Sequence, residues 1–425
     1  MIAIIGAGFT GLSAAYHLAE RGLKCVIYEK AATPGGLCRS YKKLSHTFDY
    51  AGHFLHLRAE ESRNLVEKIL PNGFALHERN AAIITGGVRV PYPFQAHLGF
   101  LGAEEAAGCL ADYVQALIKG RGDKEKTFGR WLVANFGEGM YKRFFKPYNE
   151  KFWKCNLEEI LINWTDWSIP RPKVDEVVRG VLKLENIGMG YNPMFLYPKE
   201  GGIGTLAAAL AKKVGSALKN GVGIKEIKAK EKKLLLSNGE EVKYDALINT
   251  APLPALFSMI EDAPVALKRA AQRLKWVAVD CVQLGFKRED VIREDWIYIP
   301  DEKFPFYRVG KYPGSASDCG TAMFVEFTRR HADPMPEPKA LINTAIKGLN
   351  ELGIITGKEK PDFSEVVNLD PAYVLYDKHR SLFVPRAHVY LERVGILYVG
   401  RYGGWKYSTM EDALLEGKRA AEKIN

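Results

Sequence analysis

The sequence is poor in cysteine, and its cysteines are not arranged as metal ligands or disulfide partners. Six of them are scattered through 425 residues, and no two stand in a C-x-x-C pair. This distribution fits neither a zinc site nor the disulfide framework of a small secreted domain. We expect reduced thiols, several of them buried, and no bound metal.

Long hydrophobic runs are also missing. No apolar stretch approaches the roughly 18 residues that are needed to cross a bilayer. The chain begins with MIAIIGAG, which has neither the basic segment nor the small-residue cleavage site of a signal peptide. The sequence therefore predicts a cytoplasmic protein without a membrane span.

Charge is abundant but not concentrated. The chain has 60 Lys and Arg against 50 Asp and Glu, a net charge of +10, yet it has no block of five or six consecutive basic residues. The excess favours nucleic acid, membrane surfaces or phosphorylated small molecules, and the charge alone does not choose among them. With the motifs below, we expect a small-molecule substrate and no nucleic acid.

A dinucleotide-binding fingerprint opens the chain. The apolar run IAII is followed by GAGFTG, in which Gly6, Gly8 and Gly11 have G-x-G-x-x-G spacing. A helical pattern comes next, and then a second strand-like run that ends in Glu29. In this context the glycines admit a pyrophosphate to the start of a helix, and the acid accepts the ribose hydroxyls.

Two further motifs indicate which dinucleotide is bound. KAATPGGLCRS, with Gly36 and Arg39, follows Glu29, and GILYVGRYGGWKYSTMEDALLEGKRAAEKI lies at the far end. Both resemble motifs of the FAD-binding amine oxidase, protoporphyrinogen oxidase and sugar-nucleotide mutase superfamily. The resemblance implies FAD as cofactor. It also implies cofactor contacts at Lys30, Leu37, Gly52, Arg401 and Met410.

The positions of these motifs predict an α/β protein whose Rossmann-like FAD-binding domain is discontinuous. We assign that domain to residues 1–57, 197–252 and 393–425. A helical domain is predicted at 95–185, and a domain built on antiparallel β-sheet, which would hold the substrate, at 58–94 and 253–392.

Flavin binding leaves four aromatic stretches unexplained: VPYPFQ, FFKPYNEKFW, WIYIPDEKFPFYR and FDYAGHFLH. The first two combine ring faces with the amides of Gln95 and Asn149, which suits a nucleobase. The third combines tyrosines with Arg308, which suits a diphosphate. Each candidate also has a purely structural explanation. The rings would only pack in the core, Arg308 would form a surface ion pair, and His53 would be a core histidine whose hydrogen bonds are satisfied.

The same stretches resemble UDP-galactopyranose mutases, particularly the eukaryotic-type branch, in the same order along most of the chain. The resemblance implies that uridine is held by Tyr92, Gln95, Phe144, Asn149 and Trp153. It also implies that the diphosphate is bound by Arg308, Tyr298, Tyr376 and Tyr407, and that His53 lies against the reactive N5 of the flavin. The implied substrate-binding residues are Tyr92, Gln95, Phe144, Asn149, Trp153, Arg171, Asn192, Tyr298 and Tyr376, and the implied catalytic residues are His53, Arg308 and Tyr407.

Two departures from the mutase pattern accompany this resemblance. WTDWSIPRP places Ser168 where the family has a second diphosphate arginine, so that Arg171 is the nearest substitute. STMEDA follows Tyr407 where mutases have an asparagine-glutamine pair, and this stretch is more similar to the oxidases.

The resemblance implies an isomerase that interconverts the pyranose and furanose forms of a UDP-galactose-like sugar nucleotide through a reduced-flavin N5 adduct. NADPH or NADH would be the reductant. An FAD-dependent oxidoreductase of the amine oxidase or protoporphyrinogen oxidase type is the main alternative, and a flavin-containing binding protein without turnover is the third. The sequence leaves the oligomeric state and the particular sugar open.

Overall fold

The computed structural model describes residues 1–120, 122, 124–162, 169, 171–184, 193–314, 318–357 and 359–424. Its strands are β1 Ile2–Ile5, β2 Cys25–Glu29, β3 Ser40–Lys43, β4 His46–Asp49, β5 Phe74–Glu78, β6 Ala81–Thr85, β7 Val88–Pro91, β8 Met194–Pro198, β9 Leu218–Asn220, β10 Ile224–Lys228, β11 Lys233–Leu236, β12 Glu241–Lys243, β13 Ala246–Asn249, β14 Trp276–Phe286, β15 Trp296–Tyr298, β16 Phe306–Lys311, β17 Thr321–Arg330, β18 Phe363–Val374 and β19 Ile396–Tyr398.

The helices alternate with these strands at both ends of the chain and cluster in the middle. They are α1 Phe9–Glu20, α2 Glu60–Ile69, α3 Ala103–Ile118, α4 Phe128–Met140, α5 Lys146–Trp153, α6 Val174–Val181, α7 Gly204–Val214, α8 Leu253–Met259, α9 Val265–Ala271, α10 Pro338–Glu351, α11 Lys378–Arg393, α12 Gly400–Gly403 and α13 Met410–Glu422. A π-helical turn, Tyr141–Phe145, joins α4 to α5.

A five-stranded parallel sheet with the order β19-β13-β1-β2-β9 forms the first layer. β1 is apolar and buried at all four positions, as a central parallel strand must be. Helices α1, α7 and α13 pack on one face, and α8, α9 and α11 on the other. The strands come from three separated parts of the chain, so this Rossmann-like sheet is discontinuous as predicted.

The second sheet has seven strands in the order β18-β14-β17-β16-β15-β6-β7. Its long strand β14 is buried at ten of eleven positions because strands flank it and α10 covers one face. The sequence predicted an antiparallel sheet here. The structure shows a mixed one, since β15 and β6 pair in parallel.

Helices α3 to α6 form a helical layer between Ala103 and Val181, inside the region 95–185 where a helical domain is predicted. Rings of Phe128, Trp131, Phe136, Phe144 and Phe145 fill its core. Tyr92 and Tyr298 pack at its edge, so this layer meets the seven-stranded sheet where the aromatic stretches converge. No helix in the described ranges is both long and apolar enough to cross a membrane. The exact division into three domains stays a prediction.

Candidate active site

The glycine fingerprint forms a tight turn between β1 and α1. Gly6 has φ of 95°, and a Cβ on Gly11 would lie 2.0 Å from the carbonyl oxygen of Gly6. The helix therefore approaches the end of the strand too closely for any larger residue at position 11. Gly8 is the N-cap of α1 and provides no side-chain cap for the first amides of the helix.

The space above this helix end suits a phosphate. A Cβ built on Gly8 would meet no atom within 4 Å, whereas one on Gly36 would lie 3.3 Å from the Gly8 Cα. The two glycine turns thus meet at an uncapped helix N-terminus whose partial positive charge favours an anion. A flavin pyrophosphate fits this cradle.

We expect Gly8→Ala to lower the affinity for FAD by about tenfold to a hundredfold, because its methyl group would occupy the proposed phosphate space. The stability of the flavin-free protein should stay the same, since the methyl group meets no protein atom. Fluorescence titration of apoprotein with FAD, with urea unfolding beside it, measures both quantities. Wild-type affinity in this variant would contradict the assignment.

Glu29 and Arg39 hold the cradle together. The Glu29 carboxylate accepts hydrogen bonds from the amides of Ala7 at 2.7 Å and Ala31 at 2.9 Å. Arg39 Nε donates to the carbonyl oxygen of Gly36 at 2.8 Å, and its guanidinium lies 4.2 Å from the Tyr50 ring centre. Lys30 is exposed, while Leu37 and Met410 are partly buried.

Two rows of side chains cross the seven-stranded sheet. Strand register places Tyr298 opposite Arg308, and Arg308 opposite Glu326. Two residues away, Trp296 opposes Gly310, which in turn opposes Phe324. Because side chains at i and i+2 share a face of a strand, both rows lie on one face of the sheet.

The loop that carries His53 lies against the second row. A Cβ on Gly52 would lie 2.7 Å from Phe324 and 3.0 Å from Trp296 Nε1, so only glycine fits there. His53 Nδ1 contacts the carbonyl oxygen of Ala51 at 3.1 Å. Burial lowers the pKa of His53 to about 4, so its imidazole is neutral near pH 7.

We expect the free energy of unfolding to fall as the pH drops from about 6.5 to about 4. Burial lowers the pKa of His53, His56 and His388 to about 4 in each case. As the pH falls, the unfolded chain therefore binds a proton at each of these histidines before the folded protein does, which favours unfolding. Burial raises the pKa of Asp49 to about 7 and also raises that of Asp295, which acts in the opposite direction but for two groups against three. Urea unfolding across this pH range measures the slope, and His388→Gln should reduce it. A flat profile would contradict the prediction.

Two arginines flank the Trp296 indole. The guanidinium carbon of Arg308 lies 4.5 Å from its ring centre and that of Arg79 lies 4.4 Å from it. The two cations are therefore within about 9 Å of each other. Arg79 also donates to the Tyr298 hydroxyl and lies 5.0 Å from the Tyr92 ring.

Arg308 is paired with a buried acid. Its Nε and Nη2 donate to Glu326 at 2.6 and 2.9 Å, and Glu326 has no exposed surface. Within the described chain, Nη1 makes no hydrogen bond, so one edge of the guanidinium remains able to bind an anion. The surface ion pair considered from the sequence is not what the structure shows, since Arg308 itself is 9% exposed.

The other predicted diphosphate residues meet at the end of β18. The Tyr407 amide donates to the Tyr376 hydroxyl at 2.7 Å, and the Tyr407 ring stacks on Tyr373. Arg401 donates to the carbonyl oxygens of Ala372 and Ser408 and lies 4.8 Å from the Tyr407 ring centre. Arg401 thus joins the sheet to the start of α13.

A continuous series of ring contacts connects this end of the site to the other. Neighbouring rings along it have centroids 4.8 to 6.3 Å apart. The rings in order are Tyr92, Tyr298, Tyr148, Tyr307, Phe152, Tyr373 and Tyr407. The predicted tyrosines Tyr92, Tyr298 and Tyr407 therefore belong to one packed cluster of rings, and Tyr376 joins it through its hydrogen bond with the Tyr407 amide.

The predicted uridine residues lie deeper, in the helical layer. Gln95, Phe144 and Trp153 are 2%, 6% and 4% exposed. Asn149 Nδ2 donates to the Phe145 carbonyl oxygen at 2.7 Å, which leaves its Oδ1 to accept a hydrogen bond. Phe144 stacks on Phe94 and on Tyr148, so these groups are packed inside the helical layer and are not exposed to a ligand in this conformation.

Arg171 lies apart from the two arginines at Trp296. Its guanidinium stacks 5.3 Å from Trp131, inside the helical layer. Asn192 and Ser168 lie outside the described residues. Sequence reasoning missed Arg79, which precedes β6, because only the parallel pairing of β6 with β15 brings it to Tyr298.

A discontinuous Rossmann-like sheet with an uncapped glycine cradle, next to a second sheet that carries the arginines and tyrosines described above, defines a dinucleotide-binding protein. A family comparison gives the particular class: residues 9–425 match the family described as flavin containing amine oxidoreductase. The chain belongs to this family of flavin enzymes.

Individual relatives are distant. The chain is 23% identical over 345 residues to a zeta-carotene-forming phytoene desaturase of Myxococcus xanthus, covering 72% of this chain and 64% of the relative. It is 29% identical over 168 residues to a probable UDP-galactopyranose mutase of Klebsiella pneumoniae, covering 37% of this chain and 42% of the relative. The matches thus span less than two thirds of these curated relatives.

The chain is similar over its whole length to solved structures, and one of these is a mutase. The crystal structure of a reduced UDP-galactopyranose mutase has a TM-score of 0.92 and 26% sequence identity, with 100% of this chain and 93% of that chain covered. The arrangement of sheets and helical layer is therefore that of a mutase as well as of the wider family.

Proposed function

We propose that this protein is a flavin-dependent sugar-nucleotide mutase that interconverts the pyranose and furanose forms of a UDP-galactose-like sugar. The observation that carries the proposal is the pair of guanidiniums at Trp296, bordered by tyrosine hydroxyls, next to the His53 loop. Two cations and several phenols suit a diphosphate. An oxidase acting on an apolar amine would be served by an uncharged cavity.

Bound FAD, reduced by NADPH or NADH, would supply a nucleophilic N5 toward the anomeric carbon of the sugar. The residues of this chain would bind and orient. In our proposal the free Nη1 of Arg308 stabilises the charge that develops on the departing phosphate, because Glu326 fixes the guanidinium in place. Neutral His53 would stay next to the flavin without adding positive charge.

Tyr298, Tyr376 and Tyr407 would contact the diphosphate with their hydroxyl groups. Arg79 would serve as its second cation in place of the predicted Arg171. Uridine would lie between Tyr92 and the helical layer, with Asn149 Oδ1 accepting a hydrogen bond from the base. Since Gln95 is buried, its predicted contact requires a rearrangement of the helical layer on binding. A substantial minority of complexes show rearrangements of this kind on binding.

The experiment that tests the proposal is a titration of the dithionite-reduced holoprotein with UDP and UDP-galactose. The flavin spectrum reports binding, and chromatography reports the furanose product. We expect UDP binding and product formation only after reduction of the flavin. Absence of UDP binding in both redox states would refute the mutase function.

A flavin oxidoreductase is the second candidate, and STMEDA after Tyr407 together with the longer match to a desaturase favours it. This enzyme would consume an electron acceptor stoichiometrically with its substrate. A mutase shows no net redox change, so acceptor consumption in the same assay distinguishes the two.

We expect Arg79→Met to weaken UDP binding by about tenfold to a hundredfold, because a charge-assisted hydrogen bond would be lost. Arg171→Met is the matched control and should change the affinity by less than about threefold, since that arginine packs on Trp131. Spectral titration of both variants measures these constants. The reverse order of effects would return the second cation to Arg171.

A further inference from the structure

A stripe of α11 presents alternating cations and aliphatic side chains to solvent. The stripe consists of Lys378, Leu382, Arg386, Val389 and Arg393, whose spacings of three and four residues place them on one helix face. All five are exposed, and Leu382 and Val389 are 58% and 66% exposed. The stripe extends about 22 Å along the helix.

The cations of the stripe have no partners in the described part of the chain. The side chains of Lys378, Arg386 and Arg393 make neither an ion pair nor a hydrogen bond there. The nearby acids are engaged elsewhere: Glu392 accepts from the Tyr398 hydroxyl at 2.7 Å, and Asp377 accepts from the Arg380 amide at 2.7 Å.

The neighbouring helix continues the same surface. His379 Nε2 lies 2.9 Å from the carbonyl oxygen of Ala270, so α9 lies next to the start of α11. Arg269 and Arg273 are exposed and unpaired within the described residues, and Val265 is 63% exposed.

This combination favours a lipid surface over a protein partner. Protein interfaces are anchored by aromatic residues, and the stripe has none. Clusters of Lys and Arg on a helix are attracted to the phosphates of anionic lipids, and protruding aliphatic side chains add apolar contact with the lipid interface. Both the charge and the protruding leucine and valine are explained when the face meets anionic headgroups.

We propose that α11 docks this enzyme on the surface of a membrane rich in anionic phospholipid. The attachment is peripheral, through the stripe and the adjoining cations of α9. It is independent of the proposed function, because no stripe residue belongs to the active site.

Sedimentation of the holoprotein with vesicles tests this proposal. We expect binding at low salt to phosphatidylcholine vesicles that contain phosphatidylglycerol, and none to phosphatidylcholine alone. The double variant Arg386→Glu, Arg393→Glu should lose at least about thirtyfold in affinity for these vesicles, since each basic residue near an anionic surface contributes to the binding free energy. An unchanged flavin spectrum shows that the variant is folded.

Two further variants separate the alternatives. Lys225→Glu with Lys230→Glu makes the same charge change on exposed residues of the β10 region and should leave vesicle binding intact. Leu382→Ser with Val389→Ser should weaken vesicle binding. The same variant should bind polyglutamate in solution as the parent does, because that polyanion contacts the cations alone. The proposal is overturned if the parent protein does not bind anionic vesicles, if the control variant loses as much, or if the aliphatic variant binds vesicles like the parent.

Discussion

Replacing Arg308 with alanine is expected to lower turnover by about a hundredfold to a thousandfold, because the proposed phosphate loses its charged donor. The same change should lower the free energy of unfolding by about 3–5 kcal/mol, since Glu326 would remain buried without its cation. Flavin should still bind, because Arg308 lies outside the glycine cradle. Single-turnover kinetics and urea unfolding measure the two effects.

A second variant separates catalysis from folding. Arg308→Ala combined with Glu326→Gln removes the uncompensated charge, so that most of the lost stability should return while turnover remains low. Recovery of turnover together with stability would show that Arg308 acts only in the structure of the sheet. Near-normal turnover in the single variant would remove Arg308 from the mechanism.

Asp49→Ala should be the most destabilising change at the base of the His53 loop, at about 3–5 kcal/mol. Its carboxylate accepts hydrogen bonds from Ser40 Oγ, from the Tyr197 hydroxyl at 2.8 Å and from the Ile203 amide at 3.0 Å. Removing it leaves these buried donors without their acceptor. Urea unfolding of the flavin-free protein checks the magnitude.

The main chain of Asp49 supports the same loop. Its carbonyl oxygen accepts from Gln283 Nε2 at 2.9 Å and from the Tyr312 hydroxyl at 3.0 Å. Asp245→Ala is the matched control, because that carboxylate is exposed, and it should leave the unfolding midpoint unchanged. A midpoint for Asp49→Ala as high as that of the control would show that the network contributes little.

The flavin-binding half of the fold was predictable because its determinants are local. The glycine spacing, the helix after it and the strand ending in Glu29 occupy fewer than thirty consecutive residues. Fold class and the superfamily resemblance followed from these residues and from the closing motif near Tyr407. The roles of the predicted site residues remain proposals that the mutants above would test.

The site formed by the arginines at Trp296 and the neighbouring tyrosines was harder to predict, because the register of the strands brings these residues together. Arg308, Glu326 and Tyr298 become neighbours only when β15, β16 and β17 pair, and no sequence period indicates that alignment. Arg79 shows the same difficulty, since a parallel pairing brings it to Trp296. Arg171 was chosen by proximity in the sequence, and packing places it against Trp131 instead.

Helix α1 begins nine residues into the chain, yet its neighbour α13 comes from the far end. Ser13 Oγ donates to the carbonyl oxygen of Leu414 at 2.6 Å, 401 positions later, and a Cβ on Gly417 would lie 2.4 Å from the Thr10 carbonyl oxygen. During synthesis the face of α1 that packs on α13 therefore stays uncovered until the ribosome has made α13. Long-range closure of this kind is slow, and apolar surface that stays exposed on an incomplete chain is prone to aggregation.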